Sequence, residues 1–416
     1  MIQAVRGTRD ILPDEVAVWH RMETAARDLF ARYGYREIRT PVLEETELFA
    51  RGIGAETDIV SKEMYTFADR DGGSLTLRPE ATAGIVRAVI EHDLLATDPA
   101  LKVYALGPMF RRERPQKGRY RQFHQVDVEA LGFVSPTVDA EVIELALAYL
   151  DACGVGEREL VLNSVGDRHC RPAYVERLRE ALREGAPSMC ADCRRRAGTN
   201  PLRVLDCKVK EDQKAIEALP RIADHLCEEC AGHFAEVRRQ LELLGIPYRL
   251  DHRLVRGLDY YVRTTFEVTS GRLGAQSSVL GGGRYDGLVK DLGGPDAAGI
   301  GFAVGLERLA LLVPPREAAG RCDVFLMPLA AAGLDRALRL QRALRQAGLA
   351  AMLEPEGRSF KSRMKQADRL GARFVAILGD DEIARGVWAV RDMARSAQTD
   401  VPEEGVFEHL KEKANG

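Results

Sequence analysis

The run from Met109 to Glu129, MFRRERPQKGRYRQFHQVDVE, constrains this chain most. It crowds five arginines and one lysine between Arg111 and Arg121, with β character on both sides. Leu101 to Phe110 has the valine, tyrosine and phenylalanine content of a strand. Gln122 to Leu131 alternates with a period of two, so Phe123, Gln125, Asp127 and Glu129 share one face while Val126 and Val128 share the other. A half-buried antiparallel strand ordinarily turns its polar face to water. Here that face meets the cations of the loop, so it reads as the lining of a charged ligand site. Arginine suits the task because its planar fork donates to two phosphate or carboxylate oxygens at once and stays charged. A charge run alone would favour a solvated basic hairpin. Ordered carboxylates and an aromatic on the same face favour a triphosphate site instead.

At 416 residues the chain has room for two or three domains. A net charge of −3 argues against a uniformly basic nucleic-acid coat, so any RNA contact comes from local patches. The opening residues MIQAVRGTRD lack the apolar core of a secretory signal. The most apolar stretch, Gly299 to Val313, is interrupted by Glu307 and Arg308 and is too short to span a bilayer. A cytoplasmic enzyme is expected, and its eight cysteines are then thiols or metal ligands rather than disulfides.

Helical spacing of Val16, Trp19, Met22, Ala26 and Leu29 predicts a helix over Pro13 to Arg32. The strand-like run Tyr35 to Leu43 is interrupted by Pro41, which suits an edge or an interface because proline removes a ladder donor. Leu75 to Thr82 reads as a strand entering a turn, followed by a helix over Ala83 to Ala96. The segment 167–250 turns helical and charged, and it carries Cys190, Cys193, Cys207, Cys227 and Cys230. It is predicted to be a helical insert between two halves of the sheet. Cys190-x-x-Cys193 and Cys227-x-x-Cys230 have the local spacing of a zinc knuckle, which predicts one zinc ion held by four of these cysteines. The alternative is a set of reduced thiols in a helical core.

Beyond the insert, Leu254 to Val268 ends in a β pattern, and Leu280 to Gly287 reads as a glycine turn. Gly299 to Leu312 is predicted to be a strand passing into a helix, with Arg308 near its start. After a linker at Pro314 to Gly320, strands alternate with helices, which implies a small, largely parallel α/β sheet. Arg358, Lys361, Arg363 and Lys365 enter its second helix.

The run Phe110-Arg-x-Glu-Arg-Pro-x-x-Gly-Arg-x-Arg-Gln-Phe-His-Gln125 resembles motif 2 of the class II aminoacyl-tRNA synthetases, and in this wording the histidyl-tRNA synthetase family. The Pro41 run is similar to motif 1, the dimer-forming element, and Gly299 to Leu312 to motif 3. Arg256-Gly-Leu-Asp-Tyr-Tyr261 and Leu280-Gly-Gly-Gly-Arg-Tyr-Asp-Gly287 match the two histidine-specific motifs. The resemblance implies an α+β catalytic core with an antiparallel sheet over 1–320, interrupted by the helical insert 167–250, and a C-terminal α/β anticodon-binding domain over 321–416.

It implies further that ATP, with Mg2+ as part of the substrate, L-histidine and tRNA(His) are bound by a cytoplasmic homodimer with no membrane segment. Arg256, Arg111 and Gln125 would be catalytic. Arg111 and Arg256 would hold the α-phosphate, Glu113 the adenine amino group, Phe123 the adenine ring, and Arg119 and Arg308 the outer phosphates. Glu80, Thr82 and Gln125 would take the ammonium and carboxylate of histidine, and Glu129, Tyr260, Tyr261 and Tyr285 would surround its imidazole. Gln116, Lys117 and Arg121 would meet the tRNA acceptor end, and Arg358, Lys361 and Lys365 the anticodon. Ala81 stands where the family often has glycine.

Two other readings fit parts of the sequence. A catalytically silent paralogue serving as regulatory subunit of ATP phosphoribosyltransferase usually lacks the C-terminal domain and an intact Arg-Gly-Leu-Asp-Tyr-Tyr run. A zinc-dependent nucleic-acid-binding protein would explain the cysteines and the basic loop but not the ordered carboxylates and tyrosines.

Overall fold

The computed structural model describes residues 2–54, 57–185, 188–274, 277–314, 322–354 and 359–415. It divides into two compact units, Met1–Pro315 and Arg316–Gly416. In the first, helix α1 (Pro13–Arg32) begins at a proline, whose missing N–H costs nothing there, and buries Trp19, Met22, Ala26 and Phe30 along one stripe. Strands β1 (Arg36–Glu37) and β2 (Leu43–Glu45) flank Pro41. Helix α2 (Thr46–Ile53), strands β3 (Tyr65–Ala68) and β4 (Ser74–Leu77), and helices α3 (Thr82–Glu91) and α4 (Leu94–Thr97) follow. The single helix expected over Ala83 to Ala96 is thus two, separated where Asp93 takes a left-handed backbone with φ 48°.

Strands β5 (Leu101–Phe110) and β6 (Gln122–Leu131) have the predicted bounds. Helix α5 (Pro136–Ala152) and strand β7 (Glu159–Ser164) precede helices α6 (Arg171–Gly185), α7 (Ala191–Thr199), α8 (Gln213–Glu217) and α9 (Glu228–Leu243). Strands β8 (Arg249–Leu250), β9 (Val262–Thr269) and β10 (Ser278–Arg284), helix α10 (Leu288–Asp291), strand β11 (Gly299–Gly305) and helix α11 (Leu306–Ala310) complete the unit.

The large sheet has the order β1-β5-β6-β11-β10-β9-β7-β8. It is antiparallel from β5 through β7, with parallel pairings at its two edges. Period two then sorts its faces. Val126 and Val128 of β6, Phe302 and Val304 of β11 and Phe266 and Val268 of β9 pack with α1, α5 and α9 in the main core. On the opposite face α3 and α10 cover Val103, Ala105 and Met109 of β5 in a second core. Between these helices and the glycine-rich strands that face lies open, and the polar residues of β6 line it.

Of the predicted glycine turn at Leu280 to Gly287, the residues up to Arg284 are instead part of strand β10, and the chain turns only at Asp286 and Gly287. Gly281, Gly282 and Gly283 pair with Ala303, Phe302 and Gly301 on one side and with Glu267, Phe266 and Thr265 on the other. Local composition favours a turn, but these glycines answer a close approach: a Cβ at Gly282 would lie 2.2 Å from the carbonyl oxygen of Gly301.

The insert has a core of its own, built on Tyr174, Leu178, Leu182, Val204, Leu205 and Ile216. Helix α9 lies within the segment 167–250 but packs elsewhere, placing Phe234, Val237 and Leu241 in the main core.

In the second unit, β12 (Val324–Pro328), helix α12 (Ala331–Gln346), β13 (Ala351–Leu353), helix α13 (Phe360–Arg369) and β14 (Phe374–Leu378) follow in turn. They are succeeded by helix α14 (Asp380–Arg385), β15 (Val387–Asp392), β16 (Ala397–Pro402) and helix α15 (Val406–Asn415). The sheet order is β13-β12-β14-β15-β16, parallel across the first three strands and antiparallel across the last three. The expectation of a largely parallel sheet is corrected, because β15 runs antiparallel to β14 and is followed by a further antiparallel strand, β16. That strand is polar and mostly exposed, so it carries no hydrophobic alternation to read.

Candidate active site

The cleft over the open face is about 1120 Å³ counted to its mouth, and Glu80, Arg111, Gln125, Glu129, Arg256 and Arg308 are among its walls. Glu113, Arg119, Phe123, Thr82, Tyr260, Tyr261 and Tyr285 line it too.

At the closed end, Glu129 is 2% exposed. Its oxygens accept hydrogen bonds from the Thr82 hydroxyl at 2.6 Å and from the Tyr285 hydroxyl. Burial pushes the Glu129 carboxyl up to about 8, against the two hydroxyl donors, and Glu80 adds to the rise. Asp127, 1% exposed, is raised as well, by burial first and then by Glu129 and Glu80. Glu80 sits where α3 begins and accepts the backbone N–H of Thr82 at 2.8 Å and of Ala83 at 3.0 Å. Ala81 lies between them at φ −100° and ψ −26°, a backbone that alanine adopts without strain. The rings of Tyr260 and Tyr261 lie 4.7 Å apart, and Tyr260 meets Tyr285 edge to face at 5.7 Å.

Glycine strands make this closeness possible. A Cβ at Gly301 would come within 1.9 Å of Glu129 Oε2, and one at Gly281 within 2.2 Å of the Arg256 guanidinium. Arg256 donates to Glu267 at 2.7 Å, and this pair keeps the guanidinium charged although burial opposes it. Nε of Arg256, Oε1 of Gln125 and Oδ2 of Asp127 are buried with no hydrogen-bond partner among the described residues. Buried polar atoms are rarely left so, and a polar ligand in the cleft would satisfy all three.

Toward the mouth, Arg111 is anchored by its Nε to the Pro79 carbonyl at 2.8 Å, with its guanidinium 5.3 Å from the Phe123 ring centre. Arg119 pairs with Glu113 at 3.0 Å. Burial and the neighbouring Arg119 both disfavour the charge on Arg308, so two guanidinium groups converge here. Such a pair attracts an anion. His124, on the back face of β6, is fixed by Glu307, which accepts its backbone N–H at 2.9 Å and meets its ring at 3.0 Å.

The structure brings together every residue expected to bind nucleotide or amino acid. The alternation of β6 puts Asp127 on the lining face without assigning it a role, and the sequence does not single out Glu267 as a partner of Arg256, which it meets only through the pairing of distant segments. Gln116 and Lys117 are exposed on the loop, and Arg121 is half-buried beside Gly7. On α13, Lys361 and Lys365 are exposed one turn apart. Arg363 is buried and donates to the Pro328 carbonyl, so this arginine is a scaffold residue rather than a surface cation. Arg358 lies outside the described residues.

One ion shared by both CxxC pairs is not what the fold builds. Cys190 and Cys193 group with Cys207 and Asp212, and Cys227 and Cys230 group with Cys170 and Asp167. The pairs separate because Cys190 opens α7 in the insert while Cys227 opens α9 against the main core. Cys170 and both aspartates lie outside any CxxC spacing, which is why the sequence reading missed them.

A family model described as histidyl-tRNA synthetase matches residues 7–309, and one described as an anticodon binding domain matches 323–413. A histidine–tRNA ligase of Solibacter usitatus is 53% identical, with 100% of each chain covered. One of Koribacter versatilis is 51% identical over 96% of this chain and 94% of its own. The crystal structure of apo S. aureus histidyl-tRNA synthetase superposes with a TM-score of 0.82 at 38% identity, covering 99% of this chain and 100% of that one.

Proposed function

The chain belongs to the histidyl-tRNA synthetase family, and from that premise we propose how the cleft residues divide the reaction. The enzyme is an ATP-dependent histidine–tRNA ligase. The histidine carboxylate attacks the α-phosphate of ATP and pyrophosphate leaves. The terminal ribose of tRNA then takes the histidyl group from the adenylate.

Little covalent work falls to the protein, so position and charge carry the rate. Arg111 and Arg256 hold the α-phosphate from two sides, and Gln125 orients the attacking carboxylate. Phe123 stacks on adenine and Glu113 accepts its amino group. Arg119 and Arg308 take the outer phosphates, to which Mg2+ comes as part of the substrate. The Arg119–Glu113 pair is only half-buried, so water screens it and a triphosphate readily takes Arg119 over. Glu80, Thr82 and Gln125 bind the amino-acid head group.

Glu129, held between Thr82 and Tyr285 at the closed end, carries the assignment of the imidazole pocket, with Tyr260 and Tyr261 as its walls. Imidazole presents a donor and an acceptor. A pocket built to bond both leaves buried groups unpaired around any other side chain, which discriminates by as much as ~10⁴-fold without editing. Pyrophosphate exchange assayed with each amino acid in turn tests this. Histidine alone should support exchange, and comparable exchange with any other amino acid would overturn the pocket assignment.

The remaining roles follow the same reading. Gln116, Lys117 and Arg121 face the acceptor end of tRNA, and Lys361 and Lys365 the anticodon. The α/β unit over 321–416 then reads tRNA while 1–320 performs the chemistry in the cytoplasm. Val42 and Leu43 are exposed beside Pro41, which supports pairing of this run with a second copy of the chain. Light scattering should give twice the chain mass, and a monomer at assay concentration would remove the homodimer. Among the described residues no helix is long and apolar enough to cross a membrane. Zinc takes no part in the reaction on this reading, since neither cysteine group lines the cleft.

A further inference from the structure

Each cysteine group places four ligand atoms within 4.8 Å of one another. Around four-coordinate zinc, thiolate bonds of about 2.3 Å put neighbouring ligand atoms roughly 3.8 Å apart, the edge of a tetrahedron. In the first group Asp167 Oδ1 lies 3.6 Å from Cys170 Sγ and 4.0 Å from Cys227 Sγ. In the second, Cys190 Sγ lies 3.8 Å from Cys207 Sγ, and Cys207 Sγ lies 3.3 Å from Asp212 Oδ2. A disulfide would need sulfurs about 2.05 Å apart. Backbone N–H groups also point at sulfur: that of Asp167 donates to Cys170, of Cys193 to Cys190 and of Val209 to Cys207, at 3.4 to 3.5 Å. Thiols packed merely as small apolar groups have no reason to converge on a buried carboxylate, whereas thiolates on a cation do.

We propose that this chain binds two structural zinc ions, one through Asp167, Cys170, Cys227 and Cys230 and the other through Cys190, Cys193, Cys207 and Asp212. Three soft thiolates and one carboxylate in tetrahedral array select zinc over harder divalent ions. Each thiol releases its proton to solvent as the metal binds. The sites go beyond the reaction assigned above, although their position touches it. Arg171, next to Cys170, donates to the carbonyls of Val165 and Gly166 at 2.9 and 3.0 Å and to that of Tyr261. Arg203, between Cys193 and Cys207, donates to the Arg256 carbonyl at 3.3 Å. The two ions therefore brace the two ends of the Arg256–Tyr261 loop, a consequence that rests on the pocket assignment while the metal sites themselves do not.

The full chain, purified without chelator or added metal, should contain about two zinc per chain by elemental analysis. Cys193→Ser and Cys230→Ser should each lose one equivalent. Because either variant could fail to fold, the wild-type protein is also titrated with a mercurial thiol reagent in the presence of a chromophoric chelator, which should register release of two equivalents. One equivalent or none, disulfides in place of thiols by mass analysis, or two equivalents that both variants retain would overturn the proposal. Histidine-dependent pyrophosphate exchange, measured on the same samples, reports on the pocket assignment separately from the metal count.

Discussion

At Arg256 a half-buried guanidinium faces the cleft with its Nη1 on Glu267 and its buried Nε unpartnered among the described residues. A donor aimed at charge that grows only in the transition state affects rate more than ground-state binding. Arg256→Ala should lower adenylation by about 10² to 10³ with little change in ATP binding, and lysine should rescue only partly for want of the fork. Single-turnover adenylation kinetics decide it, and a near-normal rate would remove Arg256 from the catalysis.

Glu129 offers a different handle, because burial holds its carboxyl at about 8. A folded-state pKa raised above the unfolded value of about 4.3 contributes stability present below that value and lost as pH rises toward 8. Glu129→Gln has nothing to ionise, so its stability relative to wild type should improve between pH 5 and 8, by at most about 1.4 kcal/mol per pH unit. Denaturant midpoints across that range test the sign. The same variant loses a hydrogen-bond acceptor for imidazole and should raise the histidine KM about 10-fold to 100-fold.

Strands β10 and β11 act as elements through what they lack. Gly301 has Val128 O 2.2 Å from where a Cβ would sit, in addition to Glu129 Oε2, so neither neighbour can yield cheaply. Gly301→Ala should cost about 1 to 3 kcal/mol of stability and raise the histidine KM, measured by thermal melting and pyrophosphate exchange. An alanine variant with wild-type melting and KM would show that the strands can part without harm. At the end of β10, Arg284 is fully buried, and its Nε donates to Asp139 Oδ1 at 3.1 Å. Asp139 Oδ2 meets His233 Nε2 at 2.8 Å, tying β10 to α5 and α9. Burial would raise the Asp139 carboxyl, but His233 and Arg284 outweigh it and hold it below its ordinary range. Asp139→Ala leaves the buried Arg284 only the partly exposed Asp286 as counter-charge, at 3.0 Å, and should cost about 3 to 5 kcal/mol, read from chemical denaturation.

For the whole molecule, the residues proposed for adenylation belong to the unit Met1–Pro315, and the exposed Lys361 and Lys365 belong to the unit Arg316–Gly416. A chain ending at Gly320, once shown to be folded, should keep histidine-dependent pyrophosphate exchange but charge tRNA with a raised KM. Losing phosphate contacts should also flatten the salt dependence of tRNA binding. Undiminished charging by the truncated chain would mean that anticodon reading lies elsewhere.

Local pattern by itself determined α1, β5 and β6 to the residue, and with them the polar face of β6, because amphipathic periodicity and pleat alternation are written in neighbouring residues. The motif order gave the residues that line the cleft. Three features needed the fold: Gly281 to Gly283 as strand rather than turn, Glu267 against Arg256, and the division of the cysteines between two carboxylates. Each depends on which distant segments become neighbours, and that is set by sheet register and helix packing, to which no short stretch of sequence refers.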